Sequence, residues 1–221
     1  MSSTIVTRAA DGSGDRQELV QGAGYGMWGG LAAYSPDGRH LLFAVDEGGP
    51  KYLRLSEVGE NGALSDPEPF FSSSPEPSIL DARISPNGRL LAYMSTDSGQ
   101  PEVFLTRFPE GIGRWQVSNG GGSQPRWSAG SGELFFIGGS GPTSRMLTSV
   151  DLGTGPEIAI GVPEQLFSLS DNFNNSLKSE EGFDVAADGN RFVMVRSSAS
   201  GPASSPRMIL VQNWREELPD R

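Results

Sequence analysis

The stretch "SPDGRHLLFAVDEGG" occupies residues 35–49, and "SPNGRLLAYMSTDSG" occupies residues 85–99. No other feature constrains this chain so strongly. A unit written twice at such a spacing is one supersecondary element that cannot bury its apolar faces alone and must stack on its neighbours. Two further copies are weaker: "SAGSGELFFIG" from Ser128 and "AADGNRFVMVR" from Ala186. Taking Ser35, Ser85, Ser128 and Ala186 as anchors, the steps are 50, 43 and 58 residues. These are propeller-blade periods, longer than ankyrin or tetratricopeptide units and rich in strand residues where those are helical.

Each copy reads as a tight hairpin. Pro36 fixes φ at the first turn position, Asp37 suits the second, and Gly38 accepts a positive φ. Pro86, Asn87 and Gly88 repeat the arrangement. The strand that follows is continuously apolar, as in Leu41–Val45 and Leu90–Met94, which fits a strand covered on both faces. A third strand comes next ("KYLRLSEV", "EVFLTRF", "RMLTSVDL", "RMILVQNW"), then a more polar fourth such as "RWQVS" or "EQLFSL". Four antiparallel strands followed by a loop to the next unit make a propeller blade. The predicted fold class is therefore all-β. It is a β-propeller of four-stranded antiparallel blades, about four blades plus a partial one, in a single domain over 1–221. Approximate blades fall at 1–24 (partial), 30–74, 79–118, 123–170 and 182–221. The first segment supplies two strands and the last blade three, so the blades are predicted to form an open arc or fragment of a larger propeller. Exposed ends would then invite self-association or pairing with missing upstream blades.

Composition narrows the chemistry. The formal net charge of −10 argues against nucleic acid as the partner, since that needs a basic face. The only lysines are Lys51 and Lys178. With no cysteine, disulfides, thiol nucleophiles and Cys-ligated metals are excluded. Apolar runs reach only about five residues against the ~20 of a membrane helix, and "MSSTIVTRAADGSG" has no apolar core of a secretory leader. No membrane insertion of this chain and no cofactor are expected.

The motif candidates are poor. Gly24, Gly26 and Gly29 match G-x-G-x-x-G, but strand and turn follow where a dinucleotide fold needs a helix. "SNGGGSQPRW" (118–127) lacks the lysine of a phosphate loop and reads as a flexible crossing between blades. "DGSGD" (11–15) begins like a calcium loop, but Arg16 stands at the sixth position and Gly22 at the twelfth, so a hairpin turn is the better reading. His40, the only histidine, follows a turn without a nucleophile elbow. No residue is assigned a catalytic role, and no metal site is expected.

One constellation stands out on the strands preceding the turns, "LAAYS", "DARIS", "QPRWS" and "GFDVA". Two residues before each anchor come Ala33, Arg83, Arg126 and Asp184; four before come Leu31, Asp81, Gln124 and Gly182. By the period of two these share a face. Innermost strands border the central channel, so Arg83, Arg126, Asp81 and Asp184 are candidates for a mixed-charge ring. Such a ring is either a set of inter-blade ion pairs or a binding site for a protein or small ligand at the propeller face.

The S-P-[D/N]-G-R-x-L units resemble the WD-like propeller repeat of TolB and its bacterial relatives. "RFPEGIGRWQVSNGGGSQPRWSAGSGELFF", with "FDVAADGNRFVMV" and "ILVQNWREEL", is similar to the C-terminal propeller segment behind the kinase domain of bacterial serine/threonine protein kinases. The resemblance implies a non-enzymatic module for recognition or scaffolding, the sensory or docking part of a larger signalling protein. That module would lie outside the cytoplasm if the parent is membrane-anchored. The alternative is the propeller portion of a hydrolase, a peptidase cap or a glycan-active enzyme, without its catalytic domain.

Overall fold

The computed structural model describes residues 3–7, 17–23, 32–46, 51–60, 62–139, 144–153, 155, 157–169, 183–196 and 207–212. Leu31, Gly182, the glycine match at 24–29, the "DGSGD" segment and the C-terminal "NWREELPD" lie outside the described residues.

Five antiparallel sheets follow one another along the chain, and no helix occurs among the described residues. The first pairs β1 (Ser3–Thr7) with β2 (Gln17–Ala23). The second is β3 (Ala32–Tyr34), β4 (His40–Asp46), β5 (Lys51–Glu57) and β6 (Glu68–Pro69), in chain order. The third repeats it with β7 (Ile79–Ile84), β8 (Leu90–Ser95), β9 (Glu102–Arg107) and β10 (Trp115–Gln116). The fourth has β11 (Gly122–Trp127), β12 (Glu133–Gly138), β13 (Met146–Asp151) and β14 (Glu164–Ser168). The last holds β15 (Phe183–Val185), β16 (Arg191–Arg196) and β17 (Arg207–Gln212). The second, third and fourth sheets are the four-stranded meanders of propeller blades. Among the described residues no strand of the first sheet pairs with one of the last, so the blades form a partial propeller rather than a closed ring.

The apolar runs are continuous because each strand serves two cores. Leu91 and Tyr93 of β8 join Leu42, Leu53 and Phe71 in a cluster between the second and third sheets. Ala92, between them in sequence, points the other way, with Leu105, Trp127, Leu134 and Phe136 in the next cluster. On β12 the same split places Phe135 and Ile137 in a third cluster with Phe183 and Phe192. Period two thus becomes inter-blade packing, with one core at each boundary from the second sheet to the last.

The repeated turn has a chemical reason for each residue. Ser35 Oγ accepts the His40 amide at 3.0 Å and donates to Asp37 Oδ1 at 2.5 Å. Asp37 Oδ1 in turn accepts the Arg39 amide at 3.1 Å. The Ser35 hydroxyl, with that amide, holds the Asp37 carboxyl below the ordinary carboxylate range. Ser85 and Asn87 reproduce the set, with Ser85 Oγ accepting from Leu90 at 2.9 Å and donating to Asn87 at 2.8 Å. Gly38, Gly88 and Gly189 all have positive φ, at 72°, 69° and 69°. A Cβ on Gly38 would meet nothing within 4 Å, so Gly38→Val is expected to cost only the left-handed backbone penalty, about 1–2 kcal/mol.

In the third copy Ser131 takes the glycine place at φ 57°. Its Oγ accepts the Asn87 amide of the preceding blade's turn at 3.0 Å, a tie that glycine could not make. Ser131→Gly relieves the backbone by about 1 kcal/mol and loses a bond of similar worth, about 1 kcal/mol. Urea unfolding should therefore show almost no change for Ser131→Gly and a loss of about 1 kcal/mol for Ser131→Ala, which keeps the strain and loses the bond.

Tyr93 is 1% exposed, and burial pushes its hydroxyl up to about 12, with Asp97 adding to the shift and Arg114 opposing it. The unfolded chain releases this proton near pH 10 and the native state holds it until about 12. The native state therefore binds more protons across that window, and stability falls as pH rises through it by roughly 2–3 kcal/mol. Below pH 9 the group is protonated in both states and adds no pH dependence. Unfolding of wild type and Tyr93→Phe from pH 8 to 11 should show the shallower alkaline decline for the variant.

Candidate functional site

The charged residues of the innermost strands are set by two irregularities. In β7 the register steps from Ile79↔Ser95 to Asp81↔Met94, leaving Leu80 as an extra residue. In β11 it steps from Ser123↔Ile137 to Arg126↔Phe135, so Gln124 and Pro125 together oppose Phe136. Gln124 carries φ 54°, and the simple period of two fails between it and Arg126. Such bulges re-aim the side chains that follow them. Here the residues that follow are Asp81 and Arg126.

The structure brings three of the four sequence candidates together. Arg126 Nη1 donates to Asp81 Oδ2 at 3.1 Å across the boundary between the third and fourth sheets. Arg83 Nη1 stands 2.8 Å from Asp81 Oδ1 on the same strand, an ion pair off the line of a hydrogen bond. Arg126 also donates to the Pro125 carbonyl at 2.8 Å, and its guanidinium carbon lies 5.8 Å from the centre of the Phe183 ring in the last sheet. Trp127 Nε1 donates to the Arg83 carbonyl at 2.8 Å, a second tie across the same boundary. The Asp81 and Arg126 side chains are 5% and 8% exposed, whereas Arg83 is 35% exposed.

Asp184 does not join them. It is exposed on β15, and its Oδ1 accepts its neighbour's amide, Val185 N–H, at 2.9 Å. In the triad the acid four places before one anchor meets the arginine two places before its own anchor and the next. Asp184 sits at a two-before position, and the preceding blade offers Gln124 rather than a cation at the four-before place. Ala33 is exposed on β3.

Two guanidinium groups share one carboxylate, and the more accessible of them is Arg83, whose Nη1 also donates to the Ala82 carbonyl at 2.8 Å. This arrangement can hold an anion. It supplies neither a nucleophile nor a group suited to proton transfer. Among the described residues no cluster of three or more His, Asp or Glu could hold a metal ion. His40 meets Phe108 edge-on at 5.8 Å between ring centres.

A second polar assembly is invisible in the sequence. Glu102 is 2% exposed at the start of β9. Its Oε1 accepts Gln100 Nε2 at 2.7 Å, Gly120 N–H at 3.1 Å and Gly121 N–H at 2.9 Å, and its Oε2 accepts the Ser118 hydroxyl. The glycine-rich stretch at 118–127 does cross between blades, but its amides are fixed on this carboxyl group. Its anion-cradling geometry is filled from within the chain, which corrects the expectation of a flexible linker. The only sequence signal was an acidic residue placed directly before the apolar run Val103–Leu105.

Comparison with known proteins bears on the fold. No protein-family model matches the chain, and no curated protein matches it in sequence. Among solved structures it is similar to TolB from Acinetobacter baumannii, with a TM-score of 0.62 and 16% identity over 92% of this chain and 44% of that one. An oligogalacturonate lyase in complex with manganese aligns at 0.61 and 16% identity over 90% of this chain and 51% of the lyase. A puromycin hydrolase aligns at 0.58 and 19% identity over 89% of this chain and 28% of the hydrolase. The chain thus spans about half or less of the length of these structures. At such identities the likeness establishes a TolB-type propeller fold.

Proposed function

We propose that this chain is a non-enzymatic propeller module that recognises an anionic group of a protein or small ligand at its innermost strands. The module serves as the docking or sensory part of a larger signalling protein. One observation carries this reading: of three charges locked together, Asp81 and Arg126 are buried and tie two blades, while Arg83 keeps a third of its side chain in solvent. A cationic rim group on a chain of net charge −10 favours a carboxylate-bearing partner and disfavours a second copy of the chain. Asp184, exposed on the innermost strand of the last sheet, would give the same rim an acidic counterpart.

The test separates the roles within the triad. Titration with a labelled Gly-Glu-Gly-Glu-Gly peptide should show saturable binding that its Gln counterpart lacks. Arg83→Ala should remove that binding and leave the unfolding midpoint unchanged. Arg126→Ala should lower the midpoint. Peptide binding that is insensitive to Arg83→Ala refutes the assignment. A second reading, the propeller portion of a hydrolase, is favoured by the hydrolase and lyase among the structural neighbours. It requires hydrolysis on addition of a separate catalytic domain.

A further inference from the structure

A groove of about 750 Å³ runs between the second and third sheets, and its lining includes no residue of the triad. That volume lies within the ~300–1,000 Å³ of ordinary ligand sites. The rings of Tyr52, Phe71 and Tyr93 line it. Residues 73–75 on one side form a bend, so that side offers no strand edge to an extended chain.

The polar groups of the groove say what it can hold. Tyr93 is 1% exposed, yet its hydroxyl makes no hydrogen bond to any described residue, and the oxygen is not sealed from solvent. A buried tyrosine hydroxyl ordinarily finds a partner, and this one is left to whatever fills the groove. Its ring is fixed, stacked on Phe104 at 5.6 Å between centres and edge-on to Phe71 at 5.2 Å. Phe104 also holds Arg114, whose guanidinium carbon lies 4.1 Å from the ring centre. Two donors are thus held in place by one ring. Asp97 supplies the acceptor: its Oδ1 accepts the Ser78 amide at 3.3 Å, and its Oδ2 makes no hydrogen bond to a described residue. The Tyr93 hydroxyl is pushed up chiefly by burial, with Arg114 lowering it and Asp97 raising it, so both charges reach that oxygen.

Charge argues against an ionic ligand here. Glu76 is neutralised by Arg54 at 2.7 Å, and the remaining Asp97 and Arg114 are opposite in sign. The groove therefore has no single-sign field to draw in an ion. It sets donors and an acceptor side by side against aromatic faces. Neighbouring hydroxyls on a ring with an apolar C–H face match that set, since a hydroxyl both donates and accepts. We infer a second binding site, for a neutral saccharide: the C–H face of a sugar ring lies on Tyr52, one hydroxyl accepts from Tyr93 and Arg114, and its neighbour donates to Asp97 Oδ2. The slightly positive C–H face suits the negative face of an aromatic ring. Because Phe104 holds both donors, little side-chain freedom is lost when the sugar arrives.

The probes are maltotriose, cellotriose, mannotriose and triacetylchitotriose, with trigalacturonate and phenylalanine as anionic and zwitterionic controls, followed by amide chemical shifts of the whole protein and titration calorimetry. At least one neutral trisaccharide should shift the amides of Tyr52, Tyr93, Asp97 and Arg114, and should bind at least about tenfold more tightly than either control. Tyr93→Phe deletes the hydroxyl and keeps the ring, so it should weaken that sugar about fivefold. Asp97→Ala and Arg114→Gln each remove a charged partner and should weaken it at least about tenfold. Arg83→Ala should change nothing here, which separates this site from the inner one. No shift with any of these trisaccharides at millimolar concentration, a control that binds as tightly as the best of them, or full affinity in Tyr93→Phe would each overturn the assignment.

Discussion

Glu102→Ala is expected to lower the stability of the protein by about 3 kcal/mol or more. The carboxyl group is 2% exposed and accepts from four donors, two of them backbone amides of a loop that lies 18 and 19 residues further along the chain. Removing it leaves Gly120 and Gly121 N–H, Gln100 Nε2 and the Ser118 hydroxyl facing a cavity. The loss propagates, because Ser118 Oγ also accepts the Val103 amide at 2.8 Å. Packing keeps the loop close: a Cβ on Gly122 would collide with the Ser118 side chain, so no other residue fits beside it. Glu102→Gln should recover only part of the loss, since its amide group turns a donor toward donors. Urea unfolding measures both; a loss under 1 kcal/mol for Glu102→Ala would show that the loop stands without its acceptor.

Asp81→Ala should cost about 3 kcal/mol for a different reason. It leaves the Arg126 guanidinium, 8% exposed, without its counter-ion in the boundary between two blades. Most of that cost belongs to the stranded charge and little to the pair itself, because a buried ion pair gains little over apolar replacement. The double variant Asp81→Ala/Arg126→Met should therefore be more stable than Asp81→Ala alone, by at least about 1 kcal/mol. If the double variant is the less stable, the contribution lies in the pair and the desolvation argument fails.

Much of the fold was legible because it rests on local rules. Gly38, Gly88 and Gly189 sit where a turn requires positive φ, and the turn residues before them say so. Leu91, Ala92 and Tyr93 announce two buried faces by the absence of any polar partner in the run. The candidate site was legible only in part. Asp81, Arg83 and Arg126 could be nominated from their places in the repeat, but their meeting depends on two bulges that no residue type signals. Asp184 shares the alignment and lacks the partner, since a repeat position fixes a side chain's place in its own blade and says nothing of the residue facing it. Glu102 was missed altogether. Its donors arrive from a glycine-rich loop whose course is set by chain reversal, and glycines carry no side chain to advertise it.

The chain is a run of stacked blades held by the cores between neighbouring sheets, without closure of the last blade on the first. Native-state amide hydrogen exchange tests it most directly, since local opening follows the packing each segment has. The third and fourth sheets, flanked by cores on both sides, should show the strongest protection. Protection should fall toward the outer blades, and the amides of β17 that face away from β16 should exchange fastest of any strand in the last three sheets. Uniform protection across all five sheets, with both edges of β17 as slow as β8 and β12, would mean that the ring closes and would contradict the claim.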